Sequence, residues 1–300
     1  MRLKEILKNK KKSYDHLERM RGWELWDYRL LGEVYSGSVS TVCRALAPDD
    51  EMVVLKFMNV NLANIREARR LFQQEAHLTA QWNHPKLIQV IDYYPEVHQP
   101  TLVLGFFHDR NLKQRLMHKE KILKTNGLSI MRQALEGLQY IHDEGYIHRD
   151  IKPENILVND EGESRLIDFT LTVKKDALNF GIRKISGTRS YIAPETIRRR
   201  APVPATDIYS LGISFYEMVA YRPPFVAADG NTILRKHLKE PPTSLKSFDP
   251  NINPVVDEII LKMLAKKPEN RPESCGFILA KLADLDSIYM DNGDEAVNRA

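Results

Sequence analysis

The chain has 300 residues, 43% of them apolar, which is enough core for one two-lobed domain or for two domains and excludes a chain disordered throughout. A formal charge of +4 spread among many acids implies no nucleic-acid footprint, and two cysteines, Cys43 and Cys275, make neither a disulfide framework nor a metal-ligand spacing. The most apolar stretch, Leu211 to Ala220, is short and broken by Glu217, and the N-terminus lacks an apolar secretion segment. The expectation is a soluble chain in a reducing cytoplasmic setting, either whole or as the cytosolic part of a longer membrane protein.

Residues 1–21 carry eight Lys or Arg against three acids, with Leu3, Ile6 and Leu7 as a weak apolar edge. They read as a solvated basic extension, or as a docking helix for a regulatory partner or an anionic membrane surface. Leu30 to Val39 then joins two strand-like runs through Gly32 and Gly37. That pattern fits a plain hairpin, or a loop whose backbone N–H groups approach phosphates. Lys56 follows Val53, Val54 and Leu55, so its ammonium emerges from a buried strand and needs a fixed anion. A helix is expected over residues 63–82, where Leu71, Leu78 and Trp82 share a stripe with Glu75, and a carboxylate in an inward stripe is costly unless paired. Further on, His148-Arg149-Asp150-Ile151-Lys152-Pro153-Glu154-Asn155 sets a proton acceptor and a metal-ligand type five positions apart. Ile156 to Val158 reads as a strand, Asn159 to Gly162 as a turn, and Leu166-Ile167 as a return strand ending at Asp168. Such a hairpin brings Asp150, Asn155 and Asp168 together.

In this order the motifs resemble those of the eukaryotic-type, or Hanks-type, serine/threonine protein kinases over roughly residues 28–285. His148 to Asn155 resembles the catalytic loop, Asp168-Phe169-Thr170 the metal-binding triplet, Gly32 to Val39 the glycine-rich loop and Val53 to Lys56 the lysine strand. Ala193-Pro194-Glu195, Asp207 and Arg271 match the family's structural positions. The resemblance implies an α+β, two-lobed protein-kinase fold: a small, mainly antiparallel β lobe with one key helix over residues 28–107, and a larger, mainly helical lobe over 108–285. A basic extension (1–27) and an acidic tail (286–300) would flank them.

It also implies ATP-dependent transfer of the γ-phosphoryl group to Ser or Thr hydroxyls of proteins, with autophosphorylation. Catalytic roles fall to Asp150, Lys152 and Lys56, and magnesium, or manganese in its place, to Asn155 and Asp168. The nucleotide would be held by Gly32, Gly37, Val39, Val54, Lys56, Glu75, Leu104, Phe106 and Leu157. His148 and Phe169 are read as packing residues, Glu195 and Arg271 as a buried ion pair, and Asp207 as a cap on the catalytic-loop backbone. Lys152 and Gly187-Thr188 resemble the serine/threonine branch.

Four positions depart from the family pattern: Val34 and Thr170 replace glycines, Val54 replaces an alanine, and Thr79 stands where the internal stack is usually apolar. They keep a second reading in view, a pseudokinase scaffold or weakly active kinase that binds nucleotide and partners. Arg149, with Lys174, Lys175, Arg183 and Lys184, offers a cationic pocket for a phosphorylated residue of the segment after Asp168, with Thr172 and Ser186 as candidates.

Overall fold

The computed structural model describes residues 24–25, 27–37, 39–59, 62, 65–95, 99–107, 110–175 and 188–290. Most of the basic extension, Ser38, Arg183, Lys184, Ser186, Gly187 and the last ten residues of the acidic tail lie outside them. The described chain forms two compact units. One runs to His84, resumes at Ile88 and ends before Arg110; the other takes Pro85–Leu87 and everything from Arg110 on.

The described residues of the first unit form an antiparallel sheet and a helix. Its strands are β1 (Glu24–Leu25), β2 (Tyr28–Ser36), β3 (Ser40–Leu46), β4 (Met52–Met58), β5 (Val90–Tyr94) and β6 (Thr101–Gly105), and helix α1 (Arg66–Thr79) lies between β4 and β5 in sequence. The spatial order is β1-β2-β3-β4-β6-β5, every neighbour antiparallel. Two-residue alternation sends Val53, Leu55 and Phe57 of β4 into a core with Tyr28, Leu30, Cys43, Ala45 and Val103. The opposite face sets Met58 against Leu102 of β6 and Phe72 and Ala76 of α1.

The helix differs from its expected form. It starts at Arg66, and its buried stripe is Phe72, Glu75, Ala76 and Thr79, while Leu71 and Leu78 are only half-buried and Trp82 lies in the turn beyond it. The register turns because Phe72 and Ala76 fill the space over Met58 and Leu102. Glu75 remains inward in either register, since it shares the i, i+3, i+4, i+7 row with both.

The second unit is mainly helical. It contains α2 (Leu112–Met117), α3 (Ile122–Thr125), α4 (Gly127–Asp143), α5 (Pro194–Ile197), α6 (Pro204–Ala220), α7 (Gly230–Lys239), α8 (Pro254–Met263) and α9 (Cys275–Leu282). Two small antiparallel pairs accompany them: β7 (Tyr146–Ile147) with β10 (Val173–Lys174), and β8 (Ile156–Val158) with β9 (Ser164–Leu166). Caps mark several helix starts. Asn111 and Gln114 close a capping box on α2, Asp229 caps α7, Asn253 caps α8 and Ser274 caps α9.

Helix α6 is the axis of this unit, buried at every residue from Thr206 to Val219. A side chain at Gly212 would put its Cβ 2.8 Å from that of Met263, so glycine lets α8 approach closely. Among the described residues no helix is long and apolar enough to cross a membrane. Beside α6, Arg271 grips Glu195 through two bonds of 2.8 Å, and its guanidinium also donates to the carbonyls of Ala205 and Ala265. Both side chains are almost wholly buried.

Because removal of one member strands the other's charge in the interior, Arg271→Leu should destabilise the fold by about 3–5 kcal/mol in chemical denaturation. The Arg271→Leu/Glu195→Leu double variant should recover much of that loss. Equal stability of wild type and Arg271→Leu would show that the pair contributes nothing.

Candidate active site

In the first unit, alternation along β4 turns Lys56 to the face opposite Leu55, the same face that α1 covers. Its ammonium donates to both carboxylate oxygens of Glu75, each at 2.8 Å, with both side chains buried. The Phe72 ring lies 5.9 Å from the same nitrogen. Thr79, polar in an apolar row, is satisfied by donating to the Glu75 carbonyl at 2.7 Å, so it costs no buried unpaired hydroxyl. Cross-strand register sets Val54 opposite Leu104 and Lys56 opposite Leu102. Val54, Leu104 and Phe106 are all half-buried.

The β2–β3 hairpin carries the glycine pattern. Two register irregularities, between Leu30 and Gly32 and between Glu33 and Tyr35, bend β2 where the pattern begins. At Gly32 an added Cβ would meet nothing within 4 Å; at Gly37 it would strike the Tyr35 ring at 2.7–2.8 Å. Val34 and Val39 are exposed, so the Val34 side chain is directed away from the sheet's core. Asn59, which pattern reading does not single out, fastens this turn. Its amide donates to the Gly37 carbonyl at 2.9 Å, its side-chain oxygen accepts from Thr41 at 3.0 Å, and its backbone N–H donates to Val39.

In the second unit the loop after β7 is bent by a left-handed residue, Arg149, at φ 69°, and Asp168 adopts φ 64°. Such backbone is costly for residues other than glycine and persists only where the surroundings enforce it. Asp207, fully buried in the first turn of α6, provides that enforcement for the loop. Its carboxylate accepts from the backbone N–H of His148 and of Arg149, both at 2.8 Å, and pairs with Nε2 of His142 at 2.9 Å. His148 is buried, with its ring 5.3 Å from that of Phe169, as its packing role requires.

Asp150 sits in a close web. Lys152 donates to its Oδ2 at 2.5 Å, and the Asn155 amide donates to its backbone carbonyl at 2.8 Å and to Oδ2 at 3.2 Å. Using its N–H₂ on a carbonyl leaves the amide oxygen of Asn155 as the atom that can turn to a cation. The β8–β9 pairing and a bond from the Ile167 N–H to the Asn155 carbonyl, 3.0 Å, set Asp168 at the same end of the hairpin as Asn155. Buried Arg115 anchors that hairpin through the Val158 carbonyl at 2.8 Å and Asp160 at 2.8 Å, and also pairs with Glu120. Leu157, half-buried in β8, pairs with Arg165.

A pocket beside Asp150 is lined by Thr188, Tyr191, Ile192, Ala193, Thr196 and Ser210, among others. Glu217, which interrupts the apolar run of α6, accepts from the Tyr191 hydroxyl at 2.7 Å and pairs with Lys113. Burial, reinforced by Glu217, pushes the Tyr191 phenol far up, so it stays protonated and holds the pocket wall. Thr172 is corrected as a phosphorylation candidate: it is fully buried, with its backbone N–H on the Phe169 carbonyl at 3.0 Å. Arg149 reaches the Leu171 carbonyl at 3.5 Å, and burial lowers its pKa.

A protein kinase domain model matches residues 28–282, and the chain belongs to that family. It is 30% identical over 263 residues to the serine/threonine-protein kinase PknL of Mycobacterium tuberculosis, covering 87% of this chain and 65% of that protein. It is also 29% identical over 251 residues to the serine/threonine-protein kinase PrkC of Bacillus subtilis, covering 82% and 38%. Against the serine/threonine-protein kinase PknA of M. tuberculosis the identity is 32% over 258 residues, covering 83% and 59%. The chain thus spans between about a third and two thirds of the length of the curated relatives it matches.

The family uses ATP and a divalent metal generally. Among the described residues no cluster of three or more His, Cys, Asp or Glu side chains could hold a metal unaided. One carboxylate and one amide oxygen suit an ion that completes its shell with phosphate oxygens and water. Thr170, in place of glycine, donates its hydroxyl to Oδ1 of Asp168 at 2.7 Å. That bond holds one oxygen of a carboxylate carried on left-handed backbone. Thr170→Val keeps the shape and removes the donor, so manganese–nucleotide affinity, read by electron paramagnetic resonance, should fall about 10-fold. Unchanged affinity would mean that the hydroxyl plays no part in orienting Asp168.

Proposed function

We propose that the chain is an ATP-dependent serine/threonine protein kinase that transfers the γ-phosphoryl group to Ser or Thr hydroxyls of proteins, its own included. The observation that carries this reading is the web at Asp150, with Lys152 on its carboxylate and Asn155 tied to its backbone, on a loop bent at Arg149 and pinned by Asp207. Asp150 accepts or orients the proton of the substrate hydroxyl, and Lys152 neutralises charge beside it. Asn155 and Asp168 would hold magnesium, or manganese in its place; the ion supplies charge neutralisation on the phosphates. Lys56, fixed by Glu75, would hold phosphate oxygens. Gly32, Gly37, Val39, Val54, Leu104, Phe106 and Leu157 would take the remainder of the nucleotide.

Such a reaction needs no covalent enzyme intermediate, so catalysis rests on positioning and electrostatics. Two of the four departures from the family pattern, Thr79 and Thr170, are absorbed by hydrogen bonds, and Val34 is exposed. That supports an active enzyme over a scaffold. We place the activity in the cytoplasm. The free, buried thiols of Cys43 and Cys275, pushed up in pKa mainly by burial, support a reducing setting and a packing role.

Asp150→Asn should reduce the transfer rate at least about 1,000-fold, since proton acceptance and charge placement are lost together. ATP–magnesium affinity, measured by calorimetry, should stay near that of the wild type. Wild-type turnover in this variant would overturn the assignment of Asp150.

A further inference from the structure

Five residues of the stretch 188–203, Thr188, Tyr191, Ile192, Ala193 and Thr196, line the pocket beside Asp150, and the same stretch carries four exposed arginines, Arg189, Arg198, Arg199 and Arg200. The single acid in this stretch, Glu195, is buried and spent on Arg271. None of the four arginines makes a salt bridge to a carboxylate among the described residues. Arg189 lies across the start of α7, since a Cβ on Gly230 would come within 1.9 Å of its guanidinium nitrogen. Asp229, the acid beside it, accepts from the backbone of Asn231 and Thr232 as the helix cap. From α7, Arg235 and Lys239 add exposed positive charge.

Local stability does not account for this arrangement. Three consecutive guanidiniums repel one another, and Arg199 adopts φ 58°, a left-handed backbone that glycine or asparagine takes more cheaply. The backbone turn is closed without the side chains: the N–H groups of Arg198, Arg199 and Arg200 bond to the carbonyls of Pro194, Thr196 and Glu195. Among the described residues the three side chains make no ion pair, and they follow closely on Thr196, which lines the pocket.

We propose that this surface recognises an acidic stretch of the protein substrate, flanking the Ser or Thr presented to Asp150. The inference rests on the phosphoryl-transfer reading and names the substrate class of that site. A protein is favoured over nucleic acid because the charge lies on the same stretch of chain that lines the pocket containing Asp150, while the chain as a whole is only modestly basic.

The test uses the full chain and two fluorescent peptides with the same Ser/Thr centre, one flanked on both sides by Asp and Glu and the other by Asn and Gln. Binding is read by anisotropy without nucleotide, and KM and kcat are read with ATP and magnesium. Wild type should favour the acidic peptide about 10-fold in affinity and KM, the sum of several exposed charge contacts, and the preference should shrink as salt rises. In the Arg198→Gln/Arg200→Gln variant it should fall to about twofold, with kcat retained, a split that general structural damage would not give. Equal affinity for both peptides, or a preference that survives in the variant, would overturn the assignment, as would displacement of the acidic peptide by an equal concentration of a short RNA. Selective binding of the acidic peptide without any transfer would sink the kinase reading and leave the surface standing.

Discussion

The second unit depends on one buried carboxylate. Asp207 has no exposed surface, and two backbone N–H groups and the His142 ring are aimed at its carboxylate, which satisfies its buried oxygens. In return it holds the His148–Arg149 backbone in a bend that Arg149 would not adopt on its own. That bend fixes the start of the loop from which Asp150, Lys152 and Asn155 project. Asp207 ties the loop to α6, which is buried along nearly its whole length.

Two of the seven non-glycine residues with left-handed backbone among the described residues belong to this cluster. Arg149 and Asp168 stand at the two ends of the described cluster, one before Asp150 and one at the end of the β8–β9 hairpin. Each is over-determined by its neighbours: Arg149 by Asp207, and Asp168 by the Asn155–Ile167 backbone bond before it and the Thr170 hydroxyl after it. Strain held in this way keeps polar groups oriented before any ligand arrives. The Lys56–Glu75 pair is the counterpart in the first unit, a buried ion pair in which one ammonium donates to both carboxylate oxygens.

Much of this was legible from pattern alone. The apolar run Val53 to Leu55 marks Lys56 as the odd residue of a buried strand, and the strand-turn-strand pattern from Ile156 to Ile167 marks the hairpin that ends at Asp168. What escaped has physical causes. The sequence pattern does not separate Leu71 and Leu78 from Phe72 and Ala76, which are equally apolar, and tertiary packing over Met58 and Leu102 decides between them. Asn59 was missed because its partners, Gly37 and Thr41, are brought to it only by sheet register. Thr172 looked like an accessible hydroxyl, and its burial follows from a turn back to Phe169 that the sequence does not mark. Glu217 read as an interruption of an apolar run, and its partners Lys113 and Tyr191 lie far from it along the chain.

If Asp207 is the constraint on which the catalytic loop rests, Asp207→Asn must separate chemistry from nucleotide binding. The substitution turns one acceptor oxygen into a donor facing a backbone N–H, so the bend at Arg149 relaxes, while the Lys56–Glu75 pair is left as it was. Single-turnover phosphoryl transfer and magnesium–ATP affinity, measured on the same folded preparation, decide the matter. The account predicts a transfer rate at least about 100-fold lower with affinity within about threefold of wild type. A folded variant that transfers phosphate at the wild-type rate would contradict it.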